Sequence, residues 1–245
     1  MATLDKDCDL KFGNCSWEFD ENVSKNFDCH VNKSVPCYKM IHDMIGSISE
    51  WFIVDNTNVY DIGTSNGNGL LNIKSHNNNK KVKYIGVDKS PYMINEAKKL
   101  ESNDVFLINN DVLSNSFSIC NSSFITSVLT LQFIPKKDRF KLVKKIYDGL
   151  EIGGAFVLVE KILVNNSQLN DIFVGCYYDF KKENGFSEEE ILNKSKSLRS
   201  VMQPLEEREN TNMLEMVGFK NIEVFFKWFN FVGIIAIKWW EGKYE

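Results

Sequence analysis

The stretch VYDIGTSNGNG, residues 59–69, constrains the fold of this chain more than any other feature. A short apolar run ends in an acidic residue and continues into a glycine-rich turn, after which GLLNIKS has the pattern of a helix. Gly63 permits a tight turn with positive φ, and Gly67 and Gly69 let the backbone approach a ligand closely. The stretch therefore predicts a strand, a ligand-binding turn and a helix, in that order.

Strand and helix patterns alternate after this turn. Such alternation is typical of a parallel sheet with helices on both faces. Beyond the fifth strand the pattern becomes mostly helical, and two apolar stretches around an asparagine-centred turn close the chain as an antiparallel hairpin. The predicted fold class is therefore α/β, with seven strands that are mostly parallel. The predicted elements before the hairpin are strands at 58–63, 81–88, 105–109, 123–133 and 155–161, and helices at 69–75, 90–100 and 138–150, the last ended by Gly153–Gly154.

The chain is predicted to form one domain, since 245 residues lie near the upper end for a single hydrophobic core. Ahead of the first strand, residues 38–53 carry apolar side chains on one face of a helix. Ser34 is expected to cap this helix and Pro36 to suit its first turn. The predicted segments are a loose tail (1–16), an N-terminal lid with the first helix (17–55), a cofactor-binding core (56–165), a helical insertion (166–217) and the C-terminal hairpin (218–245).

Composition and charge exclude several classes of protein. An apolar fraction of 43% and a charged fraction of 25% are ordinary for a soluble globular protein. A formal charge of −4 argues against direct nucleic-acid binding, which needs an excess of lysine and arginine. We expect no membrane partner, because no apolar run reaches bilayer length. Six cysteines without a CxxC pair, and no visible secretory signal, predict free thiols, a cytoplasmic protein and no metal site.

Acidic residues follow the first three predicted strands. Asp61 and Asp88 end the first two strands, and Asp111 follows the third. A carboxylate at the second position can accept both hydroxyls of a ribose, and one at the third can accept the adenine amino group. Carboxylates attract a sulfonium and repel a pyrophosphate. Together with the absence of a phosphate-binding lysine, this pattern favours S-adenosyl-L-methionine over NAD or ATP.

With these motifs in this order, the chain resembles the class I methyltransferases with a Rossmann-like sheet. It is most similar to the branch that contains the carboxy-S-adenosylmethionine synthases of tRNA wobble-uridine modification and related small-molecule methyltransferases. The resemblance runs from Trp17 to Lys238 and implies a homodimer. The matching segments are WEFDENV (17–23), SVPCYKMIHDMIG (34–46), VYDIGTSNG (59–67), GVDKSPYMI (86–94), LTLQF (129–133), IYDGLEIGGAFVLVEK (146–161), YDFKKENGFSEEEI (178–191) and FNFVGIIAIK (229–238).

The resemblance also implies which residues contact the cofactor. Tyr38 is expected at its amino-acid end, the glycine-rich turn at the methionine and ribose, and the residues after the second and third strands at the ribose and adenine. The expected cofactor contacts are Tyr38, Asp61, Gly63, Thr64, Ser65, Gly67, Asp88, Lys89, Asp111, Val112 and Val128.

Two departures from the synthase pattern decide between reactions. Ser195 stands where the synthases have an arginine that pairs with the product carboxylate, and Val128 stands where they have an asparagine. Neither residue can supply a bidentate cation. Arg199, one helical turn beyond Ser195, is the candidate replacement. We therefore predict an S-adenosylmethionine-dependent methyltransferase with a small-molecule acceptor; the alternatives are a carboxy-S-adenosylmethionine synthase that uses prephenate, and a non-catalytic S-adenosylmethionine-binding subunit.

Candidate catalytic and acceptor residues lie in the lid and in the helical insertion. His30 replaces an apolar residue of the synthases, and two interpretations stay open: a general base with a pKa near neutrality, or a structural hydrogen-bonding histidine. Tyr38 fits a cofactor contact better than a base. Tyr177 and Tyr178 are expected to line the acceptor pocket and to support the sulfonium by cation–π contact, or else to be core aromatics.

Overall fold

The computed structural model of the protein describes residues 20–199 and 201–239. The predicted loose tail at 1–16 lies outside these residues. The described strands are β1 (Asn58–Ile62), β2 (Lys83–Asp88), β3 (Val105–Asn109), β4 (Ser122–Val128), β5 (Leu150–Lys161), β6 (Asn221–Trp228) and β7 (Phe231–Ile237).

These strands form one sheet in the order β3-β2-β1-β4-β5-β7-β6. The first five strands pair in parallel, and β7 runs antiparallel between β5 and β6. The predicted α/β fold class, a mostly parallel sheet with a C-terminal antiparallel hairpin, is confirmed. Because β1 to β5 point the same way, their carboxyl ends meet at one edge, where open α/β sheets bind ligands.

Helices cover both faces of the sheet and its carboxyl edge. Successive residues of a strand point to opposite faces; Phe124 therefore packs with α3 and α4, and Ile125 packs with α6 and α9. The described α-helices are α1 (Glu21–Lys25), α2 (Phe27–Ser34), α3 (Tyr38–Ser49), α4 (Asn68–His76), α5 (Pro91–Ala97), α6 (Lys136–Gly149), α7 (Ser167–Glu183), α8 (Glu188–Leu198) and α9 (Glu207–Val217).

The boundaries around β4 and β5 differ from the sequence prediction by several residues. The fourth strand stops at Val128, because Leu129 takes a φ of 54° and the chain turns into a 3-10 helix at Leu131–Phe133. The helix before β5 ends at Gly149 rather than at Gly153–Gly154, which lies inside β5.

The N-terminal lid is more helical than predicted. Ser34 does not cap α3, since it is the last residue of α2. The N-cap of α3 is Cys37, with a φ of 56° and no side-chain hydrogen bond. Pro36 therefore lies in the short connection between α2 and α3, which allows α2 to cross the carboxyl edge of the sheet.

The cysteine prediction is confirmed in part. Cys37, Cys120 and Cys176 are free thiols. Cys29 is disulfide-bonded, so the prediction of a free thiol is wrong there, because the absence of a CxxC pair excludes only a bond at that one spacing. Among the described residues, no helix is both long and apolar enough to cross a membrane.

Candidate functional site

A cavity of about 920 Å³ opens at the carboxyl edge of the sheet. Its walls come from the ends of β1, β2, β4 and β5 and from helices α2, α3, α7 and α8. Of the predicted site residues only Gly67 does not line it; its missing side chain faces Leu100 instead. The predicted residues that do line the cavity are His30, Tyr38, Asp61, Gly63, Thr64, Ser65, Asp88, Lys89, Asp111, Val112, Val128, Tyr177, Tyr178 and Arg199.

The glycine-rich turn is fixed against the end of β2. The amides of Gly63 and Thr64 both donate to the carbonyl of Val87, at 2.8 and 3.0 Å. Gly63 has a φ of 76°, and a Cβ there would lie 2.1 Å from Oγ1 of Thr130. The position therefore requires glycine both for its backbone conformation and for the close approach of the segment after β4.

We expect Gly63→Ala to lower the free energy of unfolding by on the order of 2–4 kcal/mol, since it combines a left-handed backbone strain with overpacking. Gly175→Ala is the matched control: Gly175 lies inside α7 with nothing within 4 Å of its added Cβ. Gly175→Ala should raise the free energy of unfolding by about 1 kcal/mol, because alanine has a higher helix propensity than glycine. Denaturant titration of both variants checks this, and an unchanged midpoint for Gly63→Ala would contradict the described turn.

Asp88 is placed to accept hydrogen bonds from a nucleoside. Its Oδ2 accepts from the Ser65 amide at 3.0 Å, and its Oδ1 accepts from the Ser90 amide at 2.8 Å. Burial raises the pKa of Asp88, and these backbone bonds oppose that shift. Each carboxylate oxygen keeps a second acceptor site, so the side chain can still accept two hydroxyls from the cavity.

The first acid, Asp61, is buried beside the turn. Its Oδ1 accepts from Oγ1 of Thr126 at 2.7 Å, and burial raises the pKa of the carboxyl. Nearby, the rings of Tyr38 and His42 meet edge to face at 4.5 Å. Burial raises the pKa of Tyr38 and lowers that of His42 to about 4. Both rings therefore stay neutral, and Asp61 is the acidic group that this wall offers to a cation.

The segment after β3 is held by a lysine from α6. Nζ of Lys145 donates to the carbonyls of Val112, Ser114 and Phe117 at 2.8, 3.0 and 3.0 Å. Asp111 accepts from the amide of Leu113 at 2.8 Å, which leaves its other oxygen toward solvent and cavity. A buried Val112 beside an exposed acceptor suits the face and the amino group of an adenine.

Helix α2 closes the cavity and is attached on two sides. The carboxylate of Asp28 accepts from Nδ2 of Asn66 at 2.7 Å and from Nδ2 of Asn68 at 2.8 Å, which ties the helix to the glycine-rich turn. At its other end the hydroxyl of Tyr177 donates to the carbonyl of Ser34 at 2.9 Å. The segment predicted as a lid thus contains the helix that carries His30, and this helix forms one wall of the cavity.

His30 does not titrate near neutrality as the general-base interpretation requires. Burial, followed by the charges of Lys194, Lys181 and Lys33, lowers its pKa to about 2. Nζ of Lys194 lies in hydrogen-bond contact with Nε2 of His30. A neutral imidazole that accepts from a lysine is a weak base, so the geometry favours the hydrogen-bonding interpretation that the sequence left open.

Three lysines line the part of the cavity that β5, α7 and α8 form, and the sequence patterns did not identify them as a group. Lys161 ends β5, Lys181 belongs to α7 and Lys194 to α8, and all three line the cavity. Burial lowers the pKa of Lys161 to about 8. Burial and then the charge of Lys161 lower that of Lys181 to about 7. Only the topology shows that the three meet.

Ser195, at the position where the synthases are expected to have an arginine, is polar and uncharged. The hydroxyl of Tyr178 donates to Oγ of Ser195 at 3.2 Å, so this serine is held by an aromatic neighbour. Arg199 is exposed at the end of α8 and lines the cavity. Val128, the other departure, lies in the wall at the end of β4.

Comparisons with known proteins agree with this geometry. A family model described as a methyltransferase domain matches residues 59–154. The carboxy-S-adenosyl-L-methionine synthase of Staphylococcus epidermidis is 46% identical over 94% of this chain and 100% of its own length. The synthase of Methylococcus capsulatus is 39% identical over 90% of the chain and 93% of its own length.

Solved structures show the same fold at low sequence identity. Human N-acetylserotonin methyltransferase in complex with SAM superposes with a TM-score of 0.59 at 14% identity, over 90% of this chain and 57% of that one. The YcgJ protein of Bacillus subtilis gives a TM-score of 0.59 at 17% identity, over 82% of this chain and 100% of that one. The Rossmann-like methyltransferase fold is therefore shared with these proteins.

Proposed function

The chain belongs to the carboxy-S-adenosyl-L-methionine synthase family of S-adenosylmethionine-dependent transferases, and within that family we propose that it transfers a methyl group from S-adenosylmethionine to a small-molecule acceptor. The observation that carries the proposal is the pair of departures in the cavity wall. Ser195 is bonded to Tyr178, and Val128 is apolar. Neither offers the bidentate cation that would hold a carboxylate on the transferred carbon.

The cavity fits S-adenosylmethionine at its acidic end. We assign the ribose hydroxyls to Asp88, the adenine to Asp111 and Val112, and the amino-acid end to Tyr38 and Asp61. The cofactor supplies an electrophilic methyl group. The chain would orient the two reactants, and α2 would exclude water from them. Both effects lower the activation free energy of a displacement reaction.

Neither candidate base of the lid serves as a proton acceptor in this proposal. His30 has a pKa of about 2 and contacts Lys194, and burial, followed by the charges of Asp61 and Asp28, raises the pKa of Tyr38. Both side chains are assigned to positioning: His30 to the lysine wall, and Tyr38 to the cofactor.

A carboxy-S-adenosylmethionine synthase remains the second candidate, favoured by the names of the relatives and their coverage of nearly the whole chain. In that case prephenate would supply the carboxyl group, and Arg199 or a lysine of the cavity would bind the carboxylate in place of the arginine. The third alternative, a non-catalytic subunit, would bind the cofactor without turnover.

Mass spectrometry of the nucleosides released on denaturation tests these candidates. The purified protein is incubated with S-adenosylmethionine, with and without prephenate, beside a Ser195→Arg variant. We expect S-adenosylmethionine and S-adenosylhomocysteine alone from the natural chain. Carboxylated S-adenosylmethionine from the natural chain would replace the proposal with the second candidate, whereas its formation by Ser195→Arg alone would support Ser195 as the residue that separates the two reactions.

We also propose that the protein is a single-domain cytoplasmic homodimer without nucleic-acid or membrane partners. The family resemblance supports the dimer, and the charge of −4 supports the absence of nucleic acid. Light scattering coupled to size-exclusion chromatography distinguishes a dimer from a monomer of 28.3 kDa.

A further inference from the structure

The lysine wall of the cavity is defined by Lys161, Lys181 and Lys194. Lys161 and Lys181 flank one ring: their Nζ atoms lie 4.5 and 4.3 Å from the centroid of Tyr177. Lys194 joins them from α8, with its Nζ near Oγ of Ser34 at 3.4 Å as well as in contact with His30. Three separate elements thus place lysine Nζ atoms around one part of the cavity.

Among the described residues, no acidic side chain pairs with Lys161 or Lys181, the two lysines on Tyr177. Within residues 20–199 and 201–239, neither Lys161 nor Lys181 forms an ion pair or a side-chain hydrogen bond through Nζ; their recorded Nζ contacts are those with aromatic rings. Lys181 is only 4% exposed. Burying a cation without a counter-ion is unfavourable, and a cation–π contact compensates for only part of that cost.

Charge is separated within the same cavity. Asp61 and Asp88 lie on β1 and β2, whereas Lys161 ends β5, which β4 separates from β1 in the sheet; Lys181 and Lys194 come from α7 and α8. A ligand with a positive group is expected beside Asp61 and Asp88, and a second ligand needs a negative group to bind beside the lysines. An oxyanion placed among them would supply a counter-charge to Lys161 and Lys181 and would favour their protonated forms.

We propose that Lys161, Lys181 and Lys194 form an oxyanion subsite, and that the methyl acceptor is a small molecule bearing a carboxylate or a phosphate group. This rests on the proposed methyl transfer. The subsite would bind the acceptor through the lysines of β5, α7 and α8 around Tyr177, and it does not use Ser195. Tyr177, Tyr178 and Phe231 line the adjoining wall, which suits an acceptor with an aromatic or apolar body.

Calorimetry on the protein loaded with S-adenosylhomocysteine tests the subsite without requiring turnover. The probes are phenylacetate, phenyl phosphate and the neutral phenylacetamide. We expect at least one anion to bind at least tenfold more tightly than the amide. Preference for phenylacetate indicates a carboxylate acceptor, and preference for phenyl phosphate indicates a phosphate.

Variants locate the site. Lys181→Met should weaken anion binding tenfold or more and leave the affinity for S-adenosylhomocysteine unchanged, whereas Lys181→Arg should retain anion binding. Lys182→Met is the matched control, because Lys182 is the next residue, is solvent-exposed and pairs with Glu188 at 2.8 Å. Anion binding at pH 8 should also be accompanied by proton uptake, and fewer protons should be taken up by Lys181→Met than by the natural chain. Calorimetry in buffers of different ionisation enthalpy measures this number of protons.

The results separate the two proposals. If the amide binds as tightly as the anions, if neither anion binds, or if Lys181→Met binds anions like the natural chain, the oxyanion subsite is wrong. If S-adenosylhomocysteine itself does not bind to the natural chain, the proposed function fails instead, and the subsite can then be measured with the anions on the unloaded protein.

Discussion

Asp88→Ala should weaken the binding of S-adenosylmethionine more than tenfold. Hydrogen bonds to an ionised acceptor contribute about 1.5–3 kcal/mol each, and one such bond is already worth a factor of ten or more. The carboxylate is held in place by the amides of Ser65 and Ser90, so its removal deletes two preorganised acceptors and loosens the turn. Isothermal titration calorimetry with S-adenosylmethionine measures the loss.

The control for this variant is Asp104→Ala. Asp104 pairs with Lys74 at 2.6 Å on the surface of the sheet and does not line the cavity. It should leave the affinity for S-adenosylmethionine unchanged. If Asp88→Ala binds S-adenosylmethionine as tightly as the natural chain does, the assignment of the ribose hydroxyls to Asp88 is wrong.

Lys181→Met should stabilise the protein, and the gain should disappear at high pH. The pKa of Lys181 is lowered from 10.5 to about 7, first by burial and then by Lys161. Below pH 7 the unfolded chain binds this proton more tightly than the folded chain does, at a cost of up to about 1.4 kcal/mol per unit of pKa difference. The loss of one cation–π contact offsets only about 0.5–2 kcal/mol, so a net gain on the order of 2–4 kcal/mol is expected at pH 6.

The pH dependence gives the sign of this effect. As pH rises from 7 to 10.5, Lys181 loses its proton in the unfolded chain as well. The free energy of unfolding of the natural chain therefore rises until the cost of burying this charge has disappeared. Urea titrations at pH 6, 8 and 10 should therefore show the advantage of Lys181→Met shrinking stepwise, and Lys182→Met should show no such trend. A constant difference between pH 6 and pH 10 would mean that Lys181 is not destabilised by its burial.

Local sequence predicted the frame of the site well. The strand–turn–helix at 58–76 and the acids Asp61, Asp88 and Asp111 depend on short-range patterns and lie where the sequence placed them. Errors arose where a distant group decides the backbone. Glu160 is one case: its carboxylate accepts from the amides of Leu131 and Gln132 at 2.9 and 2.7 Å, and this fixes the turn that ends β4.

The sequence could not predict the surroundings of individual side chains, including the charges that set their pKa values. His30 was a plausible base by residue type alone, and its pKa of about 2 follows from burial and from lysines more than a hundred residues away in the chain. Gly67 shows the same limit, since a glycine in the right motif faces Leu100 rather than the cavity.

The amino-acid sequence by itself determined the order of strands and helices, the glycine-rich turn and the acidic residues of the cofactor wall. These features follow from backbone freedom, side-chain periodicity and the positions of strand ends, which are local along the chain. Only the tertiary structure decided that Lys161, Lys181 and Lys194 share one cavity, because they come from three elements that meet only after the chain has folded. Their electrostatic effect depends on burial and mutual distance, which no local pattern encodes.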